Sequence, residues 1–134
     1  MSERDAVEQA DDLFFDALNQ MFAGEIKTME DLWSHADDVI YMGPVPELFH
    51  VGWKVTDQDW AAQAKAGLGG TIKPVKRHTT LGNGMAVVHS VAEVSGQGPE
   101  QEVTRMRGTN VFRKEDGGWK LIAHHSDPLS YVDV

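Results

Sequence analysis

The stretch that decides the fold is GTNVFRKEDGGWKLIAHHSDP, residues 108–128. On both sides of the turn-forming segment Glu115–Gly118, polar and apolar side chains alternate with the period of a β-strand. We therefore predict an antiparallel pair of strands, Glu100–Lys114 and Trp119–Asp127. The second strand begins with apolar residues and ends on a polar run that contains two adjacent histidines, so its final residues are candidates for chemistry.

Upstream of this hairpin, the sequence predicts a second hairpin and an amphipathic helix. Strands Thr71–Leu81 and Met85–Ser95 flank Gly-Asn-Gly, which favours a tight turn. Apolar residues recur at helical spacing over residues 3–23, and Ser2 with Asp5 can form a capping box at the start of that helix. Residues 3–23 are therefore predicted to form a helix with a broad apolar face.

Shorter elements are predicted between these two regions. Thr28 and Asp31 suggest a second capping box and a short helix, and a third helix is expected from Gly52. Residues 37–42 form a predicted strand, and residues 47–51 a loop. Helices gathered before an antiparallel meander indicate an α+β protein. We expect one cone-shaped domain over residues 1–134, in which N-terminal helices pack on a strongly curved, mostly antiparallel sheet.

Composition limits the classes of function. The chain has 134 residues and no cysteine, which excludes disulfides, thiolate metal sites and cysteine nucleophiles. The net charge of −9 opposes binding to nucleic acid or to an anionic membrane surface. No apolar run approaches the roughly 20 residues that span a bilayer, and the charged N-terminus lacks the pattern of a signal peptide. A cytoplasmic location is expected.

Three segments resemble the SnoaL-like domains of the nuclear transport factor 2-like superfamily, whose fold is also described as cystatin-like. The segments are Asp37–Pro44, Gly52–Trp60 and Arg107–Ser126. The resemblance implies the cone with a small-molecule pocket. Members of this superfamily include ketosteroid isomerase, polyketide cyclases, epoxide hydrolase, scytalone dehydratase and non-catalytic association domains, so the fold does not give the reaction. The catalytic pattern of none of these members is matched residue by residue.

Strand alternation then selects the site residues. Ile122, His124 and Ser126 share one face of the last strand, and the resemblance places that face inside the cone, with Leu121 and Ala123 outside. A β-bulge would reverse this assignment beyond it.

The predicted chemistry centres on one imidazole. We predict His124 as a general base, because imidazole can titrate near neutrality, and Tyr41 or Asn110 as the donor to a developing oxyanion. The residues predicted to form the pocket are Trp53, Trp60, His89, Arg107, Phe112, Ile122 and Ser126. Two of them have structural alternatives: His89 could be a hydrogen-bonded core histidine, and Arg107 could pair with an acid of the first helix instead of a ligand.

Two functions remain open at this point. The first is a binder, or a cofactor-free isomerase, cyclase, dehydratase or hydrolase, that acts on a mainly apolar small molecule. The alternative is a non-catalytic association domain. Both predict a homodimer through the outer sheet face, where Val111, Leu121 and Ala123 would lie. No metal or cofactor is expected, since the adjacent His124 and His125 point to opposite faces of a strand.

Overall fold

The computed structural model describes residues 1–97 and 103–128. Within these ranges, three helices and six strands make up the α+β fold that the sequence predicted. The helices are α1 (Glu3–Phe22), α2 (Lys27–Leu32) and α3 (Trp53–Ala66). The strands are β1 (Ile40–Met42), β2 (Phe49–Val51), β3 (Thr71–Leu81), β4 (Met85–Ser95), β5 (Thr104–Glu115) and β6 (Gly118–Pro128).

The strands form one sheet in the order β2-β1-β6-β5-β4-β3. β1 runs parallel to β6, and the other neighbouring pairs are antiparallel, so the sheet is mostly antiparallel as expected. α1 packs on β3, β4 and β6 and covers one face of the sheet, here called the inner face. Because alternate strand residues point to opposite faces, the other residues form an outer face. In the described ranges, no helix is long and apolar enough to cross a membrane.

The helix ends show where local sequence signals decide the structure. The first capping box is confirmed: Ser2 Oγ accepts from the Asp5 amide at 3.1 Å, and the Asp5 carboxylate accepts from the Ser2 amide at 3.4 Å. The second capping box was predicted wrongly. α2 begins at Lys27, after Ile26, two residues before the start that a Thr28 cap predicts, because the Thr28 hydroxyl donates to Gln20 Oε1 of α1 at 2.6 Å instead of capping its own helix.

Both hairpins are confirmed, and the bounds of β3 and β4 are those predicted. β5 begins at Thr104, and the predicted start at Glu100 lies outside the described residues. The segment predicted as a loop over residues 47–51 contains β2, which pairs with β1 through Phe49–Val51. Three residues are too few for the alternation of a strand to be visible in the sequence. This edge strand is defined by its pairing with β1.

A bulge in β6 changes which residues face the core. Val111 pairs with Ala123, but the next residue, Phe112, pairs with Leu121, so Ile122 is an extra residue without a partner on β5. Leu121 is fully buried, and Ile122 is half-buried. The prediction that Leu121 lies on the outer face is therefore wrong. The bulge shifts the inward–outward alternation by one residue, so Leu121 and His124 both face the core.

Candidate functional site

A cavity of about 270 Å³ lies between the helices and the inner face of the sheet. Most of its wall is apolar and comes from α1, α3, β4 and β5. Polar side chains gather on β6 and on the two strands that flank it, β1 and β5. The residues that carry the site are Tyr41 of β1, Trp60 and Gln63 of α3, Asn110 of β5, and His124 and Ser126 of β6.

A buried chain of hydrogen bonds holds the His124 ring. Asn110 and His124 are direct neighbours across β5 and β6, and His124 Nδ1 lies 2.7 Å from Asn110 Oδ1. Asn110 Nδ2 in turn donates to Oδ1 of Asp11 on α1 at 2.9 Å. All three side chains are at least 93 % buried, so no bulk water competes for these bonds.

The chain fixes the protonation of the ring. A carboxylate only accepts hydrogen bonds, so the Asn110 amide must turn its NH₂ group to Asp11 and its oxygen to His124. His124 Nδ1 therefore carries the proton and donates it. Nε2 of the neutral ring then holds the lone pair, and within residues 1–97 and 103–128 the ring makes its hydrogen bond through Nδ1.

The surroundings of His124 keep the ring neutral. The centroid of the imidazole is 4.6 Å from that of Phe14 and 5.9 Å from that of Tyr41. Burial lowers the pKa of His124 to about 3, with a smaller contribution from the neighbouring His125. The expectation that this histidine titrates near neutrality is therefore corrected, because an imidazolium in this apolar cage would lack hydration.

Asp11 is a carboxylate buried on α1. Burial raises its pKa above the ordinary value, while the bond from Asn110 and the charge of Arg77 act in the opposite direction. Arg77 Nε of β3 lies 3.0 Å from Asp11 Oδ2, but the N–H is not aimed at that oxygen, so the contact is an ion pair rather than a linear hydrogen bond. Arg77 also pairs with Asp12 at 2.7 Å.

A second network reaches the cavity at Tyr41. The Tyr41 hydroxyl accepts from Gln63 Nε2 at 2.8 Å, and the same nitrogen donates to Asp59 Oδ1 at 2.9 Å. Asp59 also pairs with His50 at 2.7 Å. Since the tyrosine oxygen accepts from Gln63, its own proton remains available to a ligand. Burial raises the pKa of Tyr41 above its ordinary value, so it stays a neutral donor.

The structure brings most of the predicted site residues together and separates four of them. Trp60, Arg107 and Ser126 line the cavity with Tyr41, Asn110 and His124. Trp53 instead stacks on His35 with ring centroids 4.4 Å apart.

The other three predicted pocket residues also lie elsewhere. Phe112 is fully buried in the core, and Ile122 packs against the core at the bulge. His89 is exposed on the outer face of the sheet. Because His89 is paired with Thr109 on that face, the reading of it as a core histidine is wrong as well.

Arg107 lies at the edge of the cavity and makes a strand-to-strand ion pair. Its Nε and a terminal nitrogen donate to the two carboxylate oxygens of Asp127 at 3.0 and 2.7 Å. The residues are direct neighbours on β5 and β6, and the Arg107 side chain is 52 % exposed. The alternative reading of Arg107 as a structural ion pair had placed the acid on the first helix, whereas the acid Asp127 lies on β6.

Sequence reasoning missed Asp11 and Gln63. Asp11 lies four residues after Val7 and three before Phe14, so it is a charged residue within the apolar stripe of α1. A carboxylate at such a position is rarely buried without a partner, and that could have marked it. Gln63 offered no comparable signal, because an amide on a helix is usually exposed. Within the described ranges, no three histidine, aspartate or glutamate side chains form a group that could hold a metal ion.

Comparison with known proteins agrees with this architecture. Three solved structures superimpose over most of their length. A proposed dehydratase of the nuclear transport factor 2-like family from Streptomyces avermitilis has 25 % identity and a TM-score of 0.73, and the match covers 92 % of this chain and 94 % of that one. A proposed calcium/calmodulin-dependent protein kinase II association domain from Xanthomonas campestris has 19 % identity and a TM-score of 0.76, with 98 % and 91 % covered.

The third structure is an uncharacterised protein with a cystatin-like fold from Caulobacter vibrioides, with 16 % identity, a TM-score of 0.78, and 96 % and 90 % of the two chains covered. No curated protein is significantly similar to the chain in sequence. The family model of the SnoaL-like domain matches residues 7–130, which is almost the whole sequence. The chain therefore belongs to the SnoaL-like domain family.

Proposed function

We propose that the protein binds a neutral, mainly apolar small molecule by one oxygen atom and catalyses cofactor-free proton transfer beside that atom. The observation that carries the proposal is a donor and an acceptor set side by side in an apolar cavity. Tyr41 and His124 are direct neighbours on β1 and β6, and their ring centroids are 5.9 Å apart. Tyr41 offers an O–H group, and His124 offers the Nε2 lone pair.

The charges around the cavity favour a neutral ligand. His124 is neutral, and Tyr41 keeps its proton. The charged residue at the wall, Arg107, already forms an ion pair with Asp127. Burying an ion among the apolar side chains of this cavity without an opposite charge would cost several kcal/mol. A neutral carbonyl or hydroxyl compound pays no such penalty.

The donor and acceptor suit a proton next to a carbonyl group. Tyr41 donates to the carbonyl oxygen while His124 Nε2 takes a proton from the adjacent carbon, and the electron pair moves onto the oxygen as an enolate. The low pKa of His124 makes it a weak base in the ligand-free protein. The negative charge of the enolate then raises the pKa of the nearby imidazole, so the proposal favours ligands with an already acidic proton, such as 1,3-diketones and phenols.

Similarity to the proposed dehydratase supports this class of chemistry. Elimination of water next to a carbonyl group also begins with loss of a proton from the carbon beside it.

A matched ligand panel tests the proposal. 2-Naphthol, an acyclic 1,3-diketone and 2-naphthoate are titrated at neutral pH, where only the last is an anion, while tryptophan fluorescence is followed, with Trp60→Phe to identify the response of the cavity. We expect the neutral ligands to bind at least about tenfold more tightly than the carboxylate. Proton transfer is measured by NMR in D₂O, as the rate at which the carbon between the two carbonyl groups of the diketone takes up deuterium. Preference for naphthoate, or a response unchanged in Trp60→Phe, would contradict the proposal.

The alternative function, an association domain that pairs through the outer face, has its own observation. Val87, Val111 and Ala123 are consecutive neighbours across β4, β5 and β6, and form a half-buried apolar row on that face. We propose a homodimer with this row at its centre. Analytical ultracentrifugation tests it: the wild type should sediment as a dimer and Val111→Arg as a monomer. A monomeric wild type would rule this pairing out.

A further inference from the structure

We infer that Asp11 determines which nitrogen of His124 carries the proton, and thereby whether the cavity accepts or donates a hydrogen bond at that ring. Asp11 acts through Asn110 and is a positioning residue of the site. The consequence for ligands rests on the proposed function, whereas the consequence for the ring rests on the geometry alone.

The Asn110 side chain can take either of two orientations of nearly the same shape. An amide that turns by 180° keeps its shape but exchanges its oxygen and its NH₂ group, so the partners decide its orientation. Asn110 has one partner on each side, His124 at 2.7 Å and Asp11 at 2.9 Å. Neutral imidazole can adapt to either orientation by moving its proton. The Asp11 carboxylate cannot adapt, because it only accepts, so Asp11 sets the direction of both bonds.

Arg77 provides the second fixed point. Its Nε lies 3.0 Å from the outer oxygen of Asp11, and Arg77 only donates. An oxygen is therefore favoured on the Arg77 side of residue 11, whatever that residue is. The direction of the hydrogen bonds from residue 11 to His124 thus depends on the group that residue 11 turns to Asn110.

The variant Asp11→Asn should reverse the chain. Its oxygen would face Arg77, so its NH₂ group would face Asn110. Asn110 would then turn its oxygen to residue 11 and its NH₂ group to His124. The ring could only accept at Nδ1, and the proton would move to Nε2.

This reversal changes the kind of ligand that fits. In the wild type, His124 Nε2 accepts and suits a hydroxyl compound. In Asp11→Asn, both Tyr41 and His124 donate, which suits a carbonyl oxygen and leaves a phenol without its acceptor. We expect the ratio of 2-naphthol affinity to affinity for the matched ketone, 2-tetralone, to fall about tenfold, the value of roughly one hydrogen bond.

Long-range ¹H–¹⁵N correlation NMR of the ¹⁵N-labelled protein reads the tautomer directly. The signals of His124 are assigned by their loss in His124→Asn. The wild type should show the Nδ1–H form and Asp11→Asn the Nε2–H form. The matched control is Asp12→Asn, because Asp12 is the next residue, has the same charge and also pairs with Arg77, but its carboxylate pairs away from Asn110. This variant should keep the Nδ1–H form.

A double variant adds a rescue. In Asp11→Asn with Asn110→Asp, residue 11 donates to the new carboxylate, which then accepts from His124 Nδ1, so the wild-type tautomer should return. An Nε2–H form in the wild type would overturn the inference even if Asp11→Asn failed to fold. An unchanged tautomer in folded Asp11→Asn would overturn it as well. If no panel ligand binds the wild type, the proposed function fails while the tautomer measurement still decides the role of Asp11.

Discussion

His124 and His125 are adjacent in the chain and have opposite surroundings. His124 is 93 % buried, packs against Phe14 and donates to Asn110. His125 is exposed on the outer face, where its neighbour across the sheet is Thr109. The same side chain is therefore a neutral, oriented group on one face and a solvated group on the other. Strand alternation creates the pair, and coverage by the helices makes the difference.

Asn110 and Thr109 on the neighbouring strand β5 show the same contrast between the two faces. Asn110 is buried and has a partner on each side, whereas Thr109 beside it is half-buried on the outer face. Burial makes each polar contact of Asn110 expensive to break, because no water can replace it. The two faces should therefore respond very differently to the loss of a polar group.

Asn110→Leu should give the largest effect. It removes the partner of the His124 N–H and one donor to the Asp11 carboxylate, both buried, so we expect the free energy of unfolding to fall by about 3 kcal/mol. The matched change on the outer face, Thr109→Val, should cost no more than about 0.5 kcal/mol. Urea denaturation measures both. Equal losses would show that the network does not stabilise the inner face.

The bulge can be tested by a second pair of neighbours. Leu121→Ala removes a fully buried side chain and should lower the free energy of unfolding by about 3 kcal/mol. Ile122→Ala shortens a half-buried side chain at the bulge and should cost about 1 kcal/mol. Urea denaturation again provides the comparison. A larger loss from Ile122→Ala would mean that simple alternation holds and that β6 has no bulge.

These residues also show how far the sequence could predict the structure. The hairpins and the first capping box follow from turn and cap residues a few positions apart, and those signals are local. The bulge is not local. Leu121 and Ile122 are both apolar, so either could face the core, and only the pairing with Val111 and Phe112 selects one.

The site divides in the same way. The sequence predicted both Asn110 and His124 as site residues, and they are direct neighbours on β5 and β6. It could not show that Asp11, 99 positions from Asn110, completes the chain of hydrogen bonds. It also could not show the loss of basicity at His124, because desolvation depends on residues from three separate elements around the ring. Long-range burial, rather than residue type, sets the chemistry here.

The two histidines should differ in their effect on acid stability. The folded protein protonates His124 only near pH 3, whereas the ordinary pKa of the unfolded chain is 6.5, so protons favour unfolding between these values. Titration of His124 should therefore raise stability by about 3 kcal/mol from pH 4 to pH 7, and His124→Asn, which keeps an N–H donor, should flatten this rise. The raised pKa of Asp11 acts in the opposite direction, between 3.8 and that raised value.

His125→Asn is the matched control for this prediction. It changes the same side chain one position away, on the exposed face, and should leave the rise in stability with pH in place. The measurement is urea denaturation at half-unit steps between pH 4 and pH 7. If both variants had the same profile as the wild type, the imidazole at position 124 would not be desolvated.

The smallest expected effect concerns ligand binding through Tyr41. Tyr41→Phe keeps the ring that stacks on Trp60 with centroids 4.2 Å apart, but removes the O–H donor. Affinity for 2-tetralone should fall about tenfold, since one neutral hydrogen bond is lost. Fluorescence titration measures it, with Thr109→Val as a control that loses a hydroxyl from the outer face. Equal affinity in the wild type and Tyr41→Phe would place the ligand oxygen away from β1. His124 would then act as an acceptor without Tyr41 as the donor, and the proposed proton transfer would fail.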